Sequence, residues 1–213
     1  MLTNNINNTI NMISIIRKLL NAPTAFRIKF YPVLNRAVLK HLGAVLGDNV
    51  QIVGKLNLIV RGGVKSKIKI GNNFYFSSGD SVNPIASNLQ GSIYLEKDAS
   101  LVIGDNVGMS STRMWIHDSI TIGNHVKIGA CVLLTDTDAH PIDYVSRRFS
   151  NEGTKSAPIV IEDDVWIGAH CVVLKGVTIG ARSCIGAGSV VTKNIPADCI
   201  AAGNPCKIIK KLS

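Results

Sequence analysis

The chain has 213 residues and carries 23 Lys and Arg against 14 Asp and Glu, a formal net charge of +9, with only 5% aromatic side chains. That length suits one domain with a sizeable core, and so few aromatics suit a narrow interior filled by aliphatic side chains. The basic residues are scattered, with mild concentrations at 17–40, 61–69 and 207–211 and no nucleic-acid motif beside them, which places DNA and RNA behind an anionic small molecule, an acidic glycan or an anionic membrane surface as partners.

Residues 1–8 are Asn-rich. Ile10, Ile13, Ile16 and Leu20 then recur at helical spacing, and a second helix is predicted over 33–42, after Pro32. The most apolar N-terminal stretch, 10–20, is cut by Arg17 and Lys18, so neither a cleaved signal nor a spanning helix is expected, and the chain is expected in the cytoplasm. Residues 1–45 form an N-terminal extension with two readings: a helical cap over the open end of the next domain, or a basic amphipathic surface that makes peripheral membrane contact.

From Leu46 a different order begins. LGDNVQIVG and, from Ile70, IGNNFYFSSGD are imperfect copies of one pattern, ragged between them. The pattern recovers at Ile103, slips by one residue at Trp115, and continues in register through Ile116, Ile122, Ile128 and Leu134. It stops over 135–158, TDTDAHPIDYVSRRFSNEGTKSAP, which is polar and charged and reads as one long excursion loop before Ile159 resumes. A loop of this length leaving a compact repeat is usually functional.

Residues 161–196 are six consecutive hexapeptides, opening at Ile161, Ile167, Val173, Ile179, Ile185 and Val191, with smaller residues at Val165, Cys171, Val177, Ser183, Ser189 and Ile195. A period of six fits neither helix nor plain strand, so each unit is a short strand plus a turn. One strand cannot bury its aliphatic residue alone, whereas coils stacked at about 4.8 Å turn those residues into a continuous ladder. The domain is therefore an all-β solenoid over 46–200, followed by a basic tail at 201–213. The five cysteines, Cys131, Cys171, Cys184, Cys199 and Cys206, form no C-x-x-C pair and are expected to be reduced, buried small hydrophobes.

The run [LIV]-G-x-x-[VSA]-x, closing in GAGSVVTKNIPADCIAAGNPCKII, resembles the hexapeptide-repeat acyltransferases, in particular the galactoside, maltose and xenobiotic types and the polysaccharide O-acetyltransferases. The resemblance implies a left-handed parallel β-helix with three hexapeptides per coil, a homotrimer, acetyl-CoA as acyl donor, no metal, and transfer to a hydroxyl of a sugar or surface glycan in polysaccharide biosynthesis. It also implies that His140, in DAHPID, is the general base. An alcohol is a poor nucleophile at neutral pH, and an imidazole is then largely free base yet basic enough to take its proton. Pro141 sets the local backbone.

By position in that family, Asp118 matches an acceptor-binding Asp, and Ser110 stands where an Asn is found. His117 lies beside them, and Asp143 is a candidate for contacting a sugar hydroxyl or orienting His140. Trp166, pointing outward, and Ala169, Ala187, Thr192 and Lys193 fall along the coenzyme, with Lys207 and Lys210 where the family has Arg near the phosphates. His41, His125 and His170 read as surface or packing residues. Other readings are an amino-sugar nucleotide N-acetyltransferase, a serine O-acetyltransferase, a non-enzymatic binding scaffold, and a metal enzyme of the γ-type carbonic anhydrase kind, which needs three His around zinc.

Overall fold

The computed structural model describes residues 24–61, 67–79, 82–86 and 88–212. The Asn-rich start and the helix expected over 10–20 lie outside them. The described chain opens with helix α1, Thr24–His41. It runs straight through Pro32 instead of starting after it, because the helix already exists on the N-terminal side and a proline removes one N–H without forbidding the turns that flank it. Tyr31 and Leu39 are buried, and the Asn35 carboxamide donates to the carbonyls of Ile52 and Gly54, both at 2.9 Å. The helix thus lies against the first coil and covers its open backbone.

Among the described residues twenty strands follow, β1 (Val45–Leu46) to β20 (Lys207–Lys211). Consecutive strands fall on three different sheets. Sheet A has the order β1-β4-β7-β10-β13-β16, sheet B β2-β5-β8-β11-β14-β17-β19-β20, and sheet C β3-β6-β9-β12-β15-β18. Three strands therefore make one coil, and all pairs are parallel except the last, β19–β20. This is a left-handed parallel β-helix of six coils.

The register turns the hexapeptide pattern into columns. On sheet A, Leu46, Ile70, Ile103, Ile122, Ile161 and Ile179 stack in line. On sheet B the column is Ile52, Phe76, Met109, Ile128, Ile167, Ile185 and Ala201. Val165, Cys171, Val177, Ser183, Ser189 and Ile195 fill the corners and are buried. Coils approach so closely at the turns that a Cβ on Gly168 would come within 2.5 Å of the Ala187 nitrogen.

Successive turns between sheets A and B place Asn73, Asn106, His125, Asp164 and Arg182 at φ of 53 to 59°. Asn and Asp tolerate that conformation best, so His125 is a turn residue, as is His170 at φ 58°. Next to them a side-chain ladder joins the coils. Asn72 accepts from Asp48 N, Asp105 from Asn72 N, Asn124 from Asp105 N and Asp163 from Asn124 N.

Among the described residues, two excursions interrupt the coils. The anticipated one spans 136–158, between β12 (Leu133–Thr135) and β13 (Ile159–Ile161), and leaves where sheet C hands over to sheet A. It carries α2, Tyr144–Phe149. The other, at 78–91, leaves between sheets B and C, after β5 (Tyr75–Ser77) and before β6 (Ser92–Leu95), and was not anticipated from the sequence. Its short turn Pro84–Ala86 puts Ala86 against Ala130, Cys131 and Ala169.

The basic tail is in fact structured, since β19 (Cys199–Ala202) and β20 form a hairpin on the last coil. Cys131, Cys171 and Cys199 are buried, whereas Cys184 and Cys206 are only half-buried. Burial raises the pKa of Cys131, Cys171 and Cys206 above the ordinary thiol value. Cys184 departs from the expectation because it precedes the inward Ile185, and alternation along the strand turns it outward.

Candidate functional site

His140 stands on the excursion at the corner between sheets C and A, exposed, with its Nδ1 2.9 Å from Asn151 Oδ1. An amide oxygen only accepts, so in this pair Nδ1 carries the proton and Nε2 keeps its lone pair. Asn151 was invisible in the sequence, being 11 residues away on the far limb of the loop.

Asp143 does not perform that orienting role. Its Oδ2 accepts from Ser146 N at 2.7 Å and caps α2, and this bond holds its carboxyl below the usual carboxylate range. Arg147 braces the same tip by donating to the carbonyls of Pro141 and Ile142.

The loop is rooted by Asp136, a fully buried carboxylate whose two oxygens accept from the backbone N–H groups of His117 and Asp118 at 2.7 and 2.8 Å. Burial pushes its carboxyl above the ordinary value, and the two backbone donors offset part of that rise. Asp136 therefore fixes the HDS turn next to the loop that carries His140. Asp138 completes the root, pairing with Lys175 at 3.1 Å while its N–H donates to Lys155. Asp118 is exposed and its carboxylate free to face a ligand, while the His117 ring packs on Trp115 with centroids 5.2 Å apart.

The remaining candidates lie elsewhere. On the outer face of sheet B is a groove of about 980 Å³, and it gathers Trp166, Ala169, Ala187 and Ser110. Tyr75, Gly108, Lys127, Trp166, Cys184 and Ile200 form its outward column in register. Trp166 is 58% exposed, the outward orientation its place before Ile167 implies. Ser110 sits at the end of the groove, bonded to Ser77 Oγ at 2.9 Å and to Asn83 Nδ2 at 2.7 Å, so the excursion at 78–91 shapes that end. Lys127, which sequence reasoning passed over, occupies the same place in its repeat as Trp166. That place was the available signal.

Lys207 and Lys210 lie on β20, which borders the groove through β19. Thr192 and Lys193 follow β18 (Val190–Val191) at the corner between sheets C and A, away from the groove. A single chain thus brings Ser110, Trp166, Ala169 and Ala187 together on one face, with Lys207 and Lys210 alongside. It puts His117, Asp118, His140 and Asp143 at another corner. Among the described residues there is no group of three or more His, Cys, Asp or Glu able to hold a metal ion.

No helix among the described residues is long and apolar enough to cross a membrane. Residues 158–193 match the family model "Bacterial transferase hexapeptide (six repeats)". The chain is 40% identical over 122 residues to galactoside O-acetyltransferase of Escherichia coli, a match covering 57% of this chain and 59% of that protein. It is 51% identical over 94 residues to a putative acetyltransferase of Schizosaccharomyces pombe, covering 44% of each. The chain therefore spans about half the length of these relatives. Among solved structures, the hexapeptide-repeat acetyltransferase of Vibrio cholerae in complex with acetyl coenzyme A superposes with a TM-score of 0.56 at 26% identity, over 95% of this chain and 90% of that one. The hexapeptide match thus falls within the six stacked coils, and the chain is similar in sequence and fold to hexapeptide-repeat acetyltransferases.

Proposed function

We propose that the chain is an acetyl-CoA-dependent O-acetyltransferase that acetylates a hydroxyl of a sugar or surface-glycan precursor in the cytoplasm, as a step of polysaccharide biosynthesis. The observation that carries this reading is the His140–Asn151 pair, which leaves Nε2 unblocked on an exposed loop whose root, Asp136, bonds to the turn of Asp118. Nε2 takes the proton of the acceptor hydroxyl as its oxygen attacks the thioester carbonyl. Collapse of the tetrahedral adduct expels the thiolate, which recovers that proton from the imidazolium to leave CoA as the thiol. No covalent enzyme intermediate is needed.

The sheet B groove suits the donor. Its rim of Gly168, Ala169, Gly186 and Ala187 admits a thin pantetheine chain close to the backbone, Trp166 gives that chain an apolar wall, and Lys207 and Lys210 stand near its end for phosphates. Similarity to a protein solved with acetyl coenzyme A supports the same assignment.

Base and donor groove occupy different edges of one chain, with the breadth of sheet C between them, on the order of 13 Å for a four-residue strand. A homotrimer, in which the loop of one subunit reaches the groove of the next, unites them, and a closed ring satisfies such a heterologous contact without fibre growth. Light scattering is expected to give three chains at micromolar concentration, and a monomer that still turns over would overturn this arrangement.

The test of function is release of free CoA thiol from acetyl-CoA with a panel of acceptors: simple galactosides, maltose, serine, amino-sugar nucleotides and acidic oligosaccharides. A glycan hydroxyl is expected to win. Preference for free serine or an amino-sugar nucleotide would overturn the acceptor class.

A further inference from the structure

A second groove, of about 670 Å³, lies on the outer face of sheet C. Its floor comes from outward positions of β3 (Asn57–Val60), β6 (Ser92–Leu95) and β9 (Arg113–Ile116). Asn57, Ser92 and Arg113 form one column, and Ile59, Tyr94 and Trp115 the next. Neighbours in such a column stand about 4.8 Å apart along the backbone, so Tyr94 and Trp115 occupy adjacent outward positions, 37% and 36% exposed. Gln90, at the end of the excursion at 78–91, forms part of one wall. At its other end the groove reaches the corner of the proposed base, because Trp115 touches His117, whose backbone Asp136 holds.

Two adjacent aromatic faces with carboxamides beside them match a pyranose ring, whose C–H face stacks on the rings while its hydroxyls pair with the amides. Charge narrows the choice. Arg61 and Glu96 pair with each other at 3.6 Å at the rim and neutralise one another. Arg113 has no ion-pair partner among the described residues, and its Nε is buried without an acceptor. A buried Nε–H without an acceptor is costly, and a carboxylate is the planar group that pairs with a guanidinium fork.

We propose that this groove binds a carboxylated sugar residue of the acceptor glycan, its ring on Tyr94 and Trp115 and its carboxylate at Arg113. The proposal rests on the reading of the chain as a sugar O-acetyltransferase. It separates the two substrates by face, the donor on sheet B and the acceptor on sheet C.

The test is titration of the full chain with tri-galacturonate, with neutral galactotriose and with UDP, read by tryptophan fluorescence and calorimetry in the absence of acetyl-CoA. Tri-galacturonate is expected to bind at least tenfold more tightly than galactotriose. Arg113→Gln should abolish that preference while leaving the neutral sugar unchanged, and Arg113→Lys, which keeps the charge without the fork, should fall between. Trp115→Ala should weaken both sugars and leave acetyl-CoA binding intact. Equal affinity for the two sugars, tighter binding of UDP, or dissociation of the oligomer in Trp115→Ala, which would make this face a subunit contact, each overturns the proposal. Because no step needs acetyl transfer, sugar binding without thiol release would refute the enzymatic reading and leave the groove standing. Glycan acetylation by a protein whose Arg113→Gln variant keeps its KM would do the reverse.

Discussion

The coils at 159–191 and the excursion at 136–158 adjoin in sequence and are held by opposite means. In the coils each aliphatic opener is buried, Ile161, Ile167, Val173, Ile179, Ile185 and Val191 alike, and every turn bonds to the coil beneath. In the excursion no residue from 142 to 156 is buried. It is fastened at its root by Asp136 and Asp138 and at its tip by the Asp143 cap, Arg147 and the Arg148 guanidinium over the Tyr144 ring. Stability and the proposed chemistry are therefore carried by different segments. The repeat supplies a scaffold with a mostly aliphatic interior, and the loop adds the proposed base without adding core.

That division is open to direct attack, and the largest effect falls on the loop. His140→Ala is expected to lower kcat by roughly 10²- to 10⁴-fold while acetyl-CoA affinity and the melting temperature stay put, checked by thiol-release kinetics, calorimetry and a thermal melt. The mirror experiment is Ile167→Ala. It opens a cavity in the sheet B column and should cost about 2–5 kcal/mol, on the order of 10 °C in Tm, while activity per folded molecule survives. Loss of activity without loss of Tm in that variant would erase the contrast.

Asp136→Asn tests the joint between the regions. One of the two backbone donors loses its acceptor and meets an NH₂ group, at a cost of about 1–3 kcal/mol. The sign with pH follows from the raised carboxyl. A folded pKa above the ordinary 3.8 means the native state holds the proton more tightly, so the wild type gains stability below that value and loses it as pH rises through the folded one. The Tm gap between wild type and Asp136→Asn should therefore widen as pH falls from 7 toward 4.

The smallest effect sharpens the role of Asn151. Asn151→Ala is expected to lower kcat roughly tenfold with Tm unchanged, since the ring loses its tautomer and aim. Asn151→Asp should restore much of the rate and shift the acid limb of the kcat/KM profile to higher pH, because a carboxylate stabilises the imidazolium. A purely structural role for Asn151 would leave that limb where it is.

Much of this was legible in the sequence because a repeat states its own geometry. The openers at 161, 167, 173, 179, 185 and 191 named the interior columns, and the break at 135–158 named the excursion within one residue of its observed ends. His140 was legible because it stands in a His-Pro pair on that break. The helix through Pro32 was not, since a proline reads as a boundary wherever the segment before it has no pattern of its own. The excursion at 78–91 was obscured for a related reason: it interrupts coils whose repeats are already imperfect.

What the sequence determined by itself is the coil, because a six-residue period with one aliphatic opener leaves the chain a single way to bury those side chains, strand stacked on strand. What only the tertiary structure decided is which outward residues share a face. Tyr94 and Trp115 are 21 positions apart and became neighbours through the register of β6 on β9, while His140 and Ser110 went to different corners because a three-sided coil distributes successive strands over three sheets. Periodicity states that a residue faces outward. The corner it occupies depends on every insertion that precedes it, and those are summed only when the coils stack.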